Sequence, residues 1–293
     1  MLKRRFVLLV VLVVVSTAPA RGRSPESLTI RSGDATLHAW LWRPDGRGPF
    51  PAVLINHGSG RTREQLGRLG PYEQQAQTVC PVFVRHGYVC LFMFRHGVGP
   101  SSDAGRNAVD LMDDAFARGG QEERNALQLQ LLEHRELNDA EAALATLRVR
   151  PEVAPHNVSL VGHSFGGSLT LLLAEREPDI RAMVIFSPAG YSWDRSPELR
   201  VRLLATLPHI TAPVFLLHAA NDYSTSPGKG LDEGLAELGK IHRLKIYPPI
   251  GTTPDEGHDL PLHPAVWESD VFGFLRDSGR RSSGGAVPRT PDR

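Results

Sequence analysis

Alternating apolar and polar positions appear early in the chain, and short apolar runs separated by helical stretches follow them. The alternation over residues 28–30 and 35–42 flanks Ser32-Gly33-Asp34 and predicts a β-hairpin. Apolar runs of strand length recur at residues 52–56, 88–94, 158–162, 182–186, 213–218 and 242–247. Helical stretches are predicted at residues 72–86, 124–147, 165–175, 197–207, 230–239 and 264–276.

Continuous apolar runs are typical of strands that are buried on both faces of a sheet. Together with the intervening helices they predict an α/β fold: a mostly parallel, eight-stranded sheet with an antiparallel first hairpin and helices on both faces. No linker divides the chain, so residues 27–277 are expected to form one domain. Residues 97–123 are the longest irregular stretch and a candidate lid. Residues 278–293, rich in Arg, Ser, Gly and Pro, are predicted to be a disordered tail.

Residues 1–20 have the three parts of a secretory signal. Residues 3–5 are basic, residues 6–15 are uniformly apolar, and small residues lead up to Ala20. The apolar run is shorter than the roughly 20 residues that span a bilayer. We therefore expect an exported protein, periplasmic or secreted, after cleavage near Ala20, with residues 21–26 as a leader. The alternative is a membrane anchor formed by an uncleaved signal.

Composition narrows the function classes. Hydrophobic residues make up 41% and charged residues 22%, which is typical of a globular protein with a sizeable core. The 33 basic and 32 acidic residues nearly cancel, so no basic surplus points to a nucleic-acid partner. Cys80 and Cys90 either form a disulfide, as exported proteins do, or pack as buried thiols. Neither alternative gives a metal site.

A G-x-S-x-G pentapeptide centred on Ser164 carries the strongest chemical signal. An apolar segment over residues 158–161 leads into it, and a helical segment over residues 167–174 follows it. Strand, sharp turn and helix in that order present a serine as a nucleophile, and Gly162 and Gly166 leave room where side chains would clash. The helix amino terminus favours the negative charge that develops in acyl transfer. The alternative is a glycine-rich turn with an exposed serine.

With this pentapeptide, the N-H-G-S-G segment at residues 56–60 and the acid and histidine segments, residues 28–276 resemble the α/β-hydrolase family. The resemblance is to its dienelactone-hydrolase-like branch, whose members have little or no cap over the site. The namesake enzymes of that branch carry a cysteine at the turn, whereas this chain has Ser164. The resemblance therefore implies a serine esterase, and it does not imply the narrow lactone substrate.

The family's chain order places an acid and then a histidine after the serine. Asp222 follows a strand and resembles the acid position, with Asp194 and then Asp255 as alternatives. His258 lies between the last strand and the last helix and resembles the histidine position, with His263 as the alternative. In such a triad the acid orients the histidine, and the histidine takes the proton of the serine hydroxyl.

The loop after the first core strand resembles the family's oxyanion loop. The resemblance implies that the backbone N–H groups of Ser59 and Phe165 stabilise the tetrahedral oxyanion. Four further residues are candidates for substrate binding: Gly58, Arg61, His163 and Arg95.

Several of these polar residues also have a structural interpretation. Arg95 is interpreted first as an ion-pair partner, and His163 as a packing residue next to the serine. Arg61, with Arg63, has the charge to recognise a substrate carboxylate but also fits a surface pair. His57 and His218 are interpreted as structural polar groups at strand ends.

The sequence thus predicts a serine hydrolase that cleaves carboxylic esters with small to medium acyl groups through an acyl-enzyme intermediate. The mechanism requires no cofactor and no metal. The expected binding partner of the protein is its substrate, a small-molecule ester. No nucleic acid and no integral membrane association after signal cleavage are expected. One alternative is a peptidase or amidase of the prolyl-oligopeptidase-like type on the same fold. The other is a non-catalytic α/β-hydrolase relative.

Overall fold

In the computed structural model, an eight-stranded sheet forms the centre of the molecule. The strands are β1 (Glu26–Ser32), β2 (Ala35–Trp42), β3 (Phe50–Asn56), β4 (Val89–Phe94), β5 (Val153–His163), β6 (Met183–Phe186), β7 (Val214–Ala219) and β8 (His242–Tyr247). Their order is β1-β2-β4-β3-β5-β6-β7-β8. The β1–β2 and β2–β4 pairs are antiparallel, and the other neighbouring pairs are parallel. The predicted sheet and its antiparallel hairpin are confirmed.

Helices cover both faces of this sheet, as predicted. They are α1 (Tyr72–Arg85), α2 (Ala108–Glu133), α3 (Arg135–Arg148), α4 (Phe165–Arg176), α5 (Pro197–Thr206), α6 (Ser226–Glu237), α7 (Pro254–His258) and α8 (Pro264–Ser283). Strand β1 begins inside the predicted leader, and α8 continues past the predicted domain end at residue 277.

The structure describes residues 24–60, 62–64 and 72–283, with backbone alone from residue 279 onward. The predicted signal at residues 1–20, the predicted tail beyond residue 283, and Arg61 lie outside the described residues. Among the helices that the structure describes, none is long and apolar enough to cross a bilayer.

Helix α2 occupies much of the stretch that the sequence predicted to be irregular. Asn107 caps it, since its side chain accepts a hydrogen bond from Asp110 N. Gly119 and Gly120 have non-helical backbone angles and interrupt the helix. This glycine pair also interrupts the apolar periodicity, which explains why the sequence pattern predicted a helix only from residue 124 onward.

Two hydrophobic clusters fill the core, one on each face of the sheet. Neighbouring residues of β3 show the division: Leu54 belongs to the cluster that includes α3 and α4, whereas Val53 and Ile55 belong to the cluster that includes α1 and α8. Successive side chains of a strand point to opposite faces. Because both faces are covered, the central strands are mostly apolar on both faces, and β4 and β6 are apolar throughout.

Cys80 on α1 and Cys90 on β4 form a disulfide, with 5.5 Å between their Cα atoms. Both cysteines are fully buried. Of the two alternatives that the sequence left open, the structure contains the bridge. It ties α1 to the strand that ends directly before Arg95.

The parallel strands end at one edge of the sheet, and the loops that follow them converge there. His57 follows β3, Arg95 follows β4, Ser164 follows β5, Asp222 follows β7, and His258 lies beyond β8. In open α/β sheets, ligands bind in the crevice outside these strand ends. The fold thus brings the candidate residues of five separate segments to one place.

Candidate active site

Ser164 occupies the sharp turn between β5 and α4. Its φ of 54° and ψ of −118° lie outside the regions that L residues usually adopt, as expected of a nucleophile turn. The glycines around it are required by space. A Cβ on Gly166 would overlap the carbonyl oxygen of Asn56, and a Cβ on Gly162 would overlap Thr170 Oγ1.

Hydrogen bonds fix this turn against the neighbouring elements. Ser164 N donates to the carbonyl of Phe186 at 2.9 Å. Asn56 Nδ2 donates to Thr170 Oγ1 at 2.9 Å, and Thr170 Oγ1 donates to the carbonyl of Gly166 at 2.8 Å. The position of the serine is therefore set jointly by β3, β5, β6 and α4.

His258 and Asp222 form a hydrogen-bonded pair beside the serine. His258 Nδ1 lies 2.7 Å from Asp222 Oδ1, and both residues are buried. An ideal Cβ built on Gly190 would lie 3.4 Å from His258 Nε2 and 3.5 Å from Ser164 Oγ. The hydroxyl and the free ring nitrogen thus face the same small space.

Gly190 keeps that space open. Its φ is +42°, and a Cβ there would stand 2.8 Å from His258 Cε1. The residues before it also have unusual backbone, with φ of 49° at Ser187 and 56° at Ala189. Backbone strain of this kind is typical of functional sites.

The carboxylate of Asp222 faces three donors. Oδ1 accepts from His258 Nδ1 and from Tyr223 N at 2.7 Å, and Oδ2 lies 2.8 Å from His218 Nδ1. Burial by itself would raise the pKa of this carboxyl, but the hydrogen bonds from His218 and His258 outweigh it and hold the pKa of Asp222 well below its ordinary range. Asp222 is therefore an anion at neutral pH.

Asn221 fastens the loop that carries His258. Its Nδ2 donates to the carbonyls of Ile250 and Thr253 at 2.8 and 2.9 Å, and its Oδ1 accepts from Ile250 N at 2.9 Å. Thr253 and Glu256 then form a capping box at the start of α7. The segment that supplies Asp222 thus also fixes the position of His258.

His163 lies next to His258. Its Nε2 is 2.9 Å from the carbonyl oxygen of His258, and the two ring centroids are 4.8 Å apart. Desolvation and the nearby His258 lower the pKa of His163 to about 3. At neutral pH the ring is uncharged and donates its Nε2 proton to that carbonyl. The ring of Tyr223 also packs on His258, at 4.5 Å between centroids.

Arg95 holds the loop after β3 from behind. Its Nη1 donates to the carbonyl of His57 at 2.6 Å and its Nη2 to the carbonyl of Gly58 at 3.1 Å. In a trans peptide the N–H points away from the C=O of the same unit. Because the Gly58 carbonyl points to Arg95, the N–H of Ser59 points away from Arg95. Ser59 and Phe165 line the same cleft as Ser164.

The charge of Arg95 is balanced in the interior. Its Nε lies 2.8 Å from Glu136 Oε2, and the two side chains are only 3% and 1% exposed. Arg135 reaches the other oxygen of Glu136 at 2.6 Å. The guanidinium of Arg95 also lies 5.1 Å from the ring centre of Phe165. Arg95 therefore contacts both segments that carry the predicted oxyanion donors.

The cleft above Ser164 opens to solvent and has a cavity volume of about 40 Å³. One wall belongs to α2, which contributes Met112, Arg124 and Gln128. Gln128 Nε2 donates to Ser192 Oγ at 3.0 Å and joins α2 to the loop after β6. Part of the predicted lid segment is therefore a packed helical wall of the cleft.

The other sequence candidates lie elsewhere. Asp194 and His263 are exposed, and Asp255 accepts a hydrogen bond from the hydroxyl of Tyr223. Arg63 pairs with Asp110 at 2.8 Å and Asp114 at 2.6 Å on the surface. Arg95, a candidate for substrate binding, is buried behind the loop and does not line the Ser164 cleft.

Several residues of the site were not predicted from the sequence, and three of them take part in its central contacts. Glu136 lies in a helical stretch where an acidic residue suggests a solvated face. Gly190 lies two residues after Pro188 and resembles an ordinary turn glycine. His218 was interpreted as a structural group, and its distance of four residues from Asp222 is a signal that could have linked it to the acid.

The sheet order and the turn at Ser164 between β5 and α4 are those of the α/β-hydrolase fold. The sequence profile described as "Dienelactone hydrolase family" matches residues 37–251. The chain therefore belongs to the dienelactone hydrolase family, as its motifs predicted. The matched range includes Ser164 and Asp222 and ends before His258.

Two curated relatives are similar in sequence. "Quorum-quenching protein AidA" of Acinetobacter baumannii (strain MDR-ZJ06) is 25% identical over 166 residues, which are 57% of this chain and 44% of that protein. "Polyketide transferase grgF" of Penicillium sp is 26% identical over 237 residues, which are 78% of this chain and 68% of that protein. The chain thus matches less than half the length of the first relative.

Solved structures share the fold at low identity. The Pyrococcus horikoshii acylaminoacyl peptidase has a TM-score of 0.59 at 15% identity, covering 87% of this chain and 42% of that one. Est1E from Butyrivibrio proteoclasticus has a TM-score of 0.58 at 17% identity, covering 86% and 98%. Dienelactone hydrolase from Anabaena variabilis has a TM-score of 0.56 at 18% identity, also covering 86% and 98%.

Proposed function

We propose that this chain is a serine hydrolase that cleaves carboxylic esters with small to medium acyl groups through an acyl-enzyme intermediate. One observation carries the proposal. His258, bonded to Asp222 through Nδ1, and the hydroxyl of Ser164 face one space beside Gly190. This arrangement supplies a nucleophile, a base and an orienting acid in one cleft.

The reaction follows from these positions. His258 Nε2 takes the proton of Ser164 as Oγ attacks the acyl carbonyl, and Asp222 stabilises the imidazolium that forms. His258 then gives the proton to the leaving alcohol, and an ester of Ser164 remains. Water, deprotonated by His258, attacks that ester and releases the carboxylic acid. The proton returns to Ser164, so the enzyme is regenerated.

The backbone N–H groups of Ser59 and Phe165 are the donors for the developing oxyanion in this mechanism. Two contacts support them: the Gly58 carbonyl points to Arg95, and Phe165 begins α4 directly after the serine. The amino terminus of α4 adds a favourable dipole. Loss of one such donor typically raises the barrier by about 2.7–4 kcal/mol.

A panel of p-nitrophenyl esters, from acetyl to palmitoyl, tests the proposal. We expect turnover that is greatest for short and medium acyl chains and that falls about 10⁶-fold in Ser164→Ala. Ser102→Ala, at an exposed serine, is the matched control and should leave turnover unchanged. Wild-type turnover in purified, folded Ser164→Ala would overturn the mechanism.

A peptidase of the prolyl-oligopeptidase-like type would use the same three residues on an amide. An ester and an anilide with the same acyl group distinguish the two activities directly. Faster cleavage of the anilide would replace the esterase proposal. A non-catalytic relative would show neither activity and no labelling of Ser164 by a fluorophosphonate.

We also propose that the protein is exported. The basic and apolar run at residues 3–15 and the Cys80–Cys90 disulfide support this, because disulfides persist in oxidising compartments. N-terminal sequencing of the protein from a cell-free culture or periplasmic fraction tests it. A mature chain that begins after Ala20 is expected, and an intact first residue in the cytosolic fraction would contradict export.

A further inference from the structure

A second histidine faces the carboxylate that orients His258. His218 lies on β7 and is completely buried, and its Nδ1 is 2.8 Å from Asp222 Oδ2. His258 Nδ1 is 2.7 Å from the other oxygen, Oδ1. The carboxylate of Asp222 is therefore bound by one imidazole at each oxygen.

The surroundings of His218 fix its role as a donor. Asp222 is an anion and accepts, so His218 Nδ1 carries the proton. Its Nε2 is buried and has no hydrogen-bond partner among the described residues. A Cβ built on Gly228, in the first turn of α6, would be 2.6 Å from this nitrogen. A second proton there would be a buried, unpartnered charge-bearing N–H, which is unfavourable.

We propose that His218 is a positioning residue: a fixed donor that holds the Asp222 carboxylate turned toward His258 and withdraws part of its charge. The proposal rests on the proposed function of Ser164, His258 and Asp222. Free rotation of a carboxylate would misplace the acceptor of the His258 proton. A misplacement of about 1 Å in a catalytic group lowers a rate by up to about 100-fold.

Matched substitutions separate donation from packing. His218→Asn keeps an N–H close to the place of Nδ1, whereas His218→Leu has a similar size and no donor. We expect His218→Leu to lower kcat by up to about 100-fold with KM unchanged. We expect His218→Asn to retain most of the activity. Far-UV circular dichroism and thermal unfolding establish that both variants are folded.

The pH profile gives a readout that a packing role would not change. Asp222 and His258 are hydrogen-bonded to each other, so a change at Asp222 acts on the base of the proposed reaction. Without the donor at Oδ2, the pair holds its proton more tightly, so the acid side of the kcat profile moves to higher pH in His218→Leu. The other titratable groups around the pair, His163, Tyr223, Asp255, Asp259 and His263, are unchanged in both variants.

Two kinetic results would overturn the proposal. One is wild-type kcat and an unshifted profile in His218→Leu. The other is an equal loss of activity in His218→Leu and His218→Asn with both profiles unshifted, because that result indicates packing of the ring and not donation.

A measurement without turnover keeps this test separate from the proposed function. In protein with ¹⁵N-labelled histidine, the Nδ1 protons of His218 and His258 should both be protected from exchange with water. His218→Leu should remove one signal and shift the other, and His218→Asn should leave the remaining signal in place. An unshifted signal in His218→Leu overturns the positioning role. Wild-type protein without Ser164-dependent turnover would instead overturn the proposed function.

Discussion

The two sides of the Ser164 cleft are built in different ways. On one side, hydrogen bonds link Asp222 to His258 and His218, all three in or next to the loops that follow β7 and β8. We call this the acid–base side. On the other, the oxyanion side, Arg95 and Glu136 form a buried ion pair behind the loop that carries Ser59.

The two sides differ in whether one of their groups exchanges a proton during the proposed reaction. On the acid–base side, His258 gains and loses a proton during the proposed reaction, and Asp222 accepts hydrogen bonds from it and from His218. Disruption of this side should therefore change how the rate depends on pH. The oxyanion side consists of backbone N–H groups held by a guanidinium and a carboxylate that do not exchange protons with substrate. Its disruption should lower the rate by a similar factor at every pH. The two sides therefore predict different kinetic signatures.

Asp222→Asn should break the acid–base side. An amide in place of the carboxylate favours the wrong tautomer of His258, and we expect kcat to fall about 10⁴-fold with a changed pH profile. Asp194→Asn is the matched control, because Asp194 is exposed. A loss smaller than about tenfold, measured by steady-state ester hydrolysis, would show that Asp222 is not the orienting acid.

Arg95→Met should break the oxyanion side. We expect kcat to fall about 10²–10³-fold, because the loop carbonyls lose their donors and the Ser59 N–H loses its orientation. The pH profile should keep its shape. The variant should also lose up to about 3–5 kcal/mol of unfolding free energy, because the buried carboxylate of Glu136 loses one of its two cationic partners and keeps only Arg135.

The double variant Arg95→Met/Glu136→Leu separates these two effects. Two apolar side chains of similar size should restore much of the unfolding free energy without restoring kcat. Denaturant unfolding and ester kinetics on the same samples give both numbers. Recovery of kcat in the double variant would mean that Arg95 supports folding only.

Gly190→Ala tests the space between the two sides. The added methyl group would stand 2.8 Å from His258 Cε1 and 3.5 Å from Ser164 Oγ, and we expect kcat to fall about 100-fold. Gly239→Ala is the control: its φ is also positive, at +62°, but its Cβ meets nothing within 4 Å. Both variants carry a backbone strain of about 1–2 kcal/mol, so only a difference in kcat isolates the contact. Equal kcat values in Gly190→Ala and Gly239→Ala would show that the space beside Gly190 does not limit the reaction.

The disulfide joins α1 to β4, the strand that leads into Arg95 on the oxyanion side. Cys80→Ala/Cys90→Ala should lower the unfolding free energy by about 2–4 kcal/mol and leave kcat unchanged. Reduction of the wild-type protein should give the same loss in a urea titration. A fall in kcat on reduction would show that the bridge also sets the position of Arg95.

His163 contacts His258 on the acid–base side and lies beside Gly58 on the oxyanion side. It should make a smaller, pH-dependent contribution to the free energy of unfolding. Its pKa in the folded protein is about 3, below the value of about 6.5 for an unfolded chain. Between these values the unfolded state binds more protons, so stability falls as pH decreases from about 6.5 toward 3. The slope from one such group is at most about 1.4 kcal/mol per pH unit.

His163→Gln keeps a donor toward the His258 carbonyl and removes the titrating ring. Urea unfolding between pH 7 and 4 should therefore show a flatter decline than in the wild type. The exposed His209→Gln is the control. Equal slopes in wild type and His163→Gln would mean that His163 does not have a depressed pKa.

The acid–base side could be predicted from the sequence further than the oxyanion side. Ser164, Asp222 and His258 each follow a strand within a recognisable local pattern, so the resemblance to the family's motifs, in the family's chain order, predicted their meeting. The support of the oxyanion loop depends on Glu136, which lies on helix α3 and contacts Arg95 after strand β4. No local pattern encodes a contact of that kind. The sheet was predictable because its buried strands are largely apolar. The part of α2 before residue 124 was not predictable, because Gly119 and Gly120 interrupt its apolar pattern.

Labelling with a fluorophosphonate, followed by peptide mass spectrometry, is the most direct test of Ser164 as the nucleophile. We expect one adduct, on Ser164, that is absent in Ser164→Ala and forms much more slowly in Asp222→Asn. Labelling of another residue, or no labelling of a folded protein that still hydrolyses esters, would contradict the assignment of Ser164 as the nucleophile.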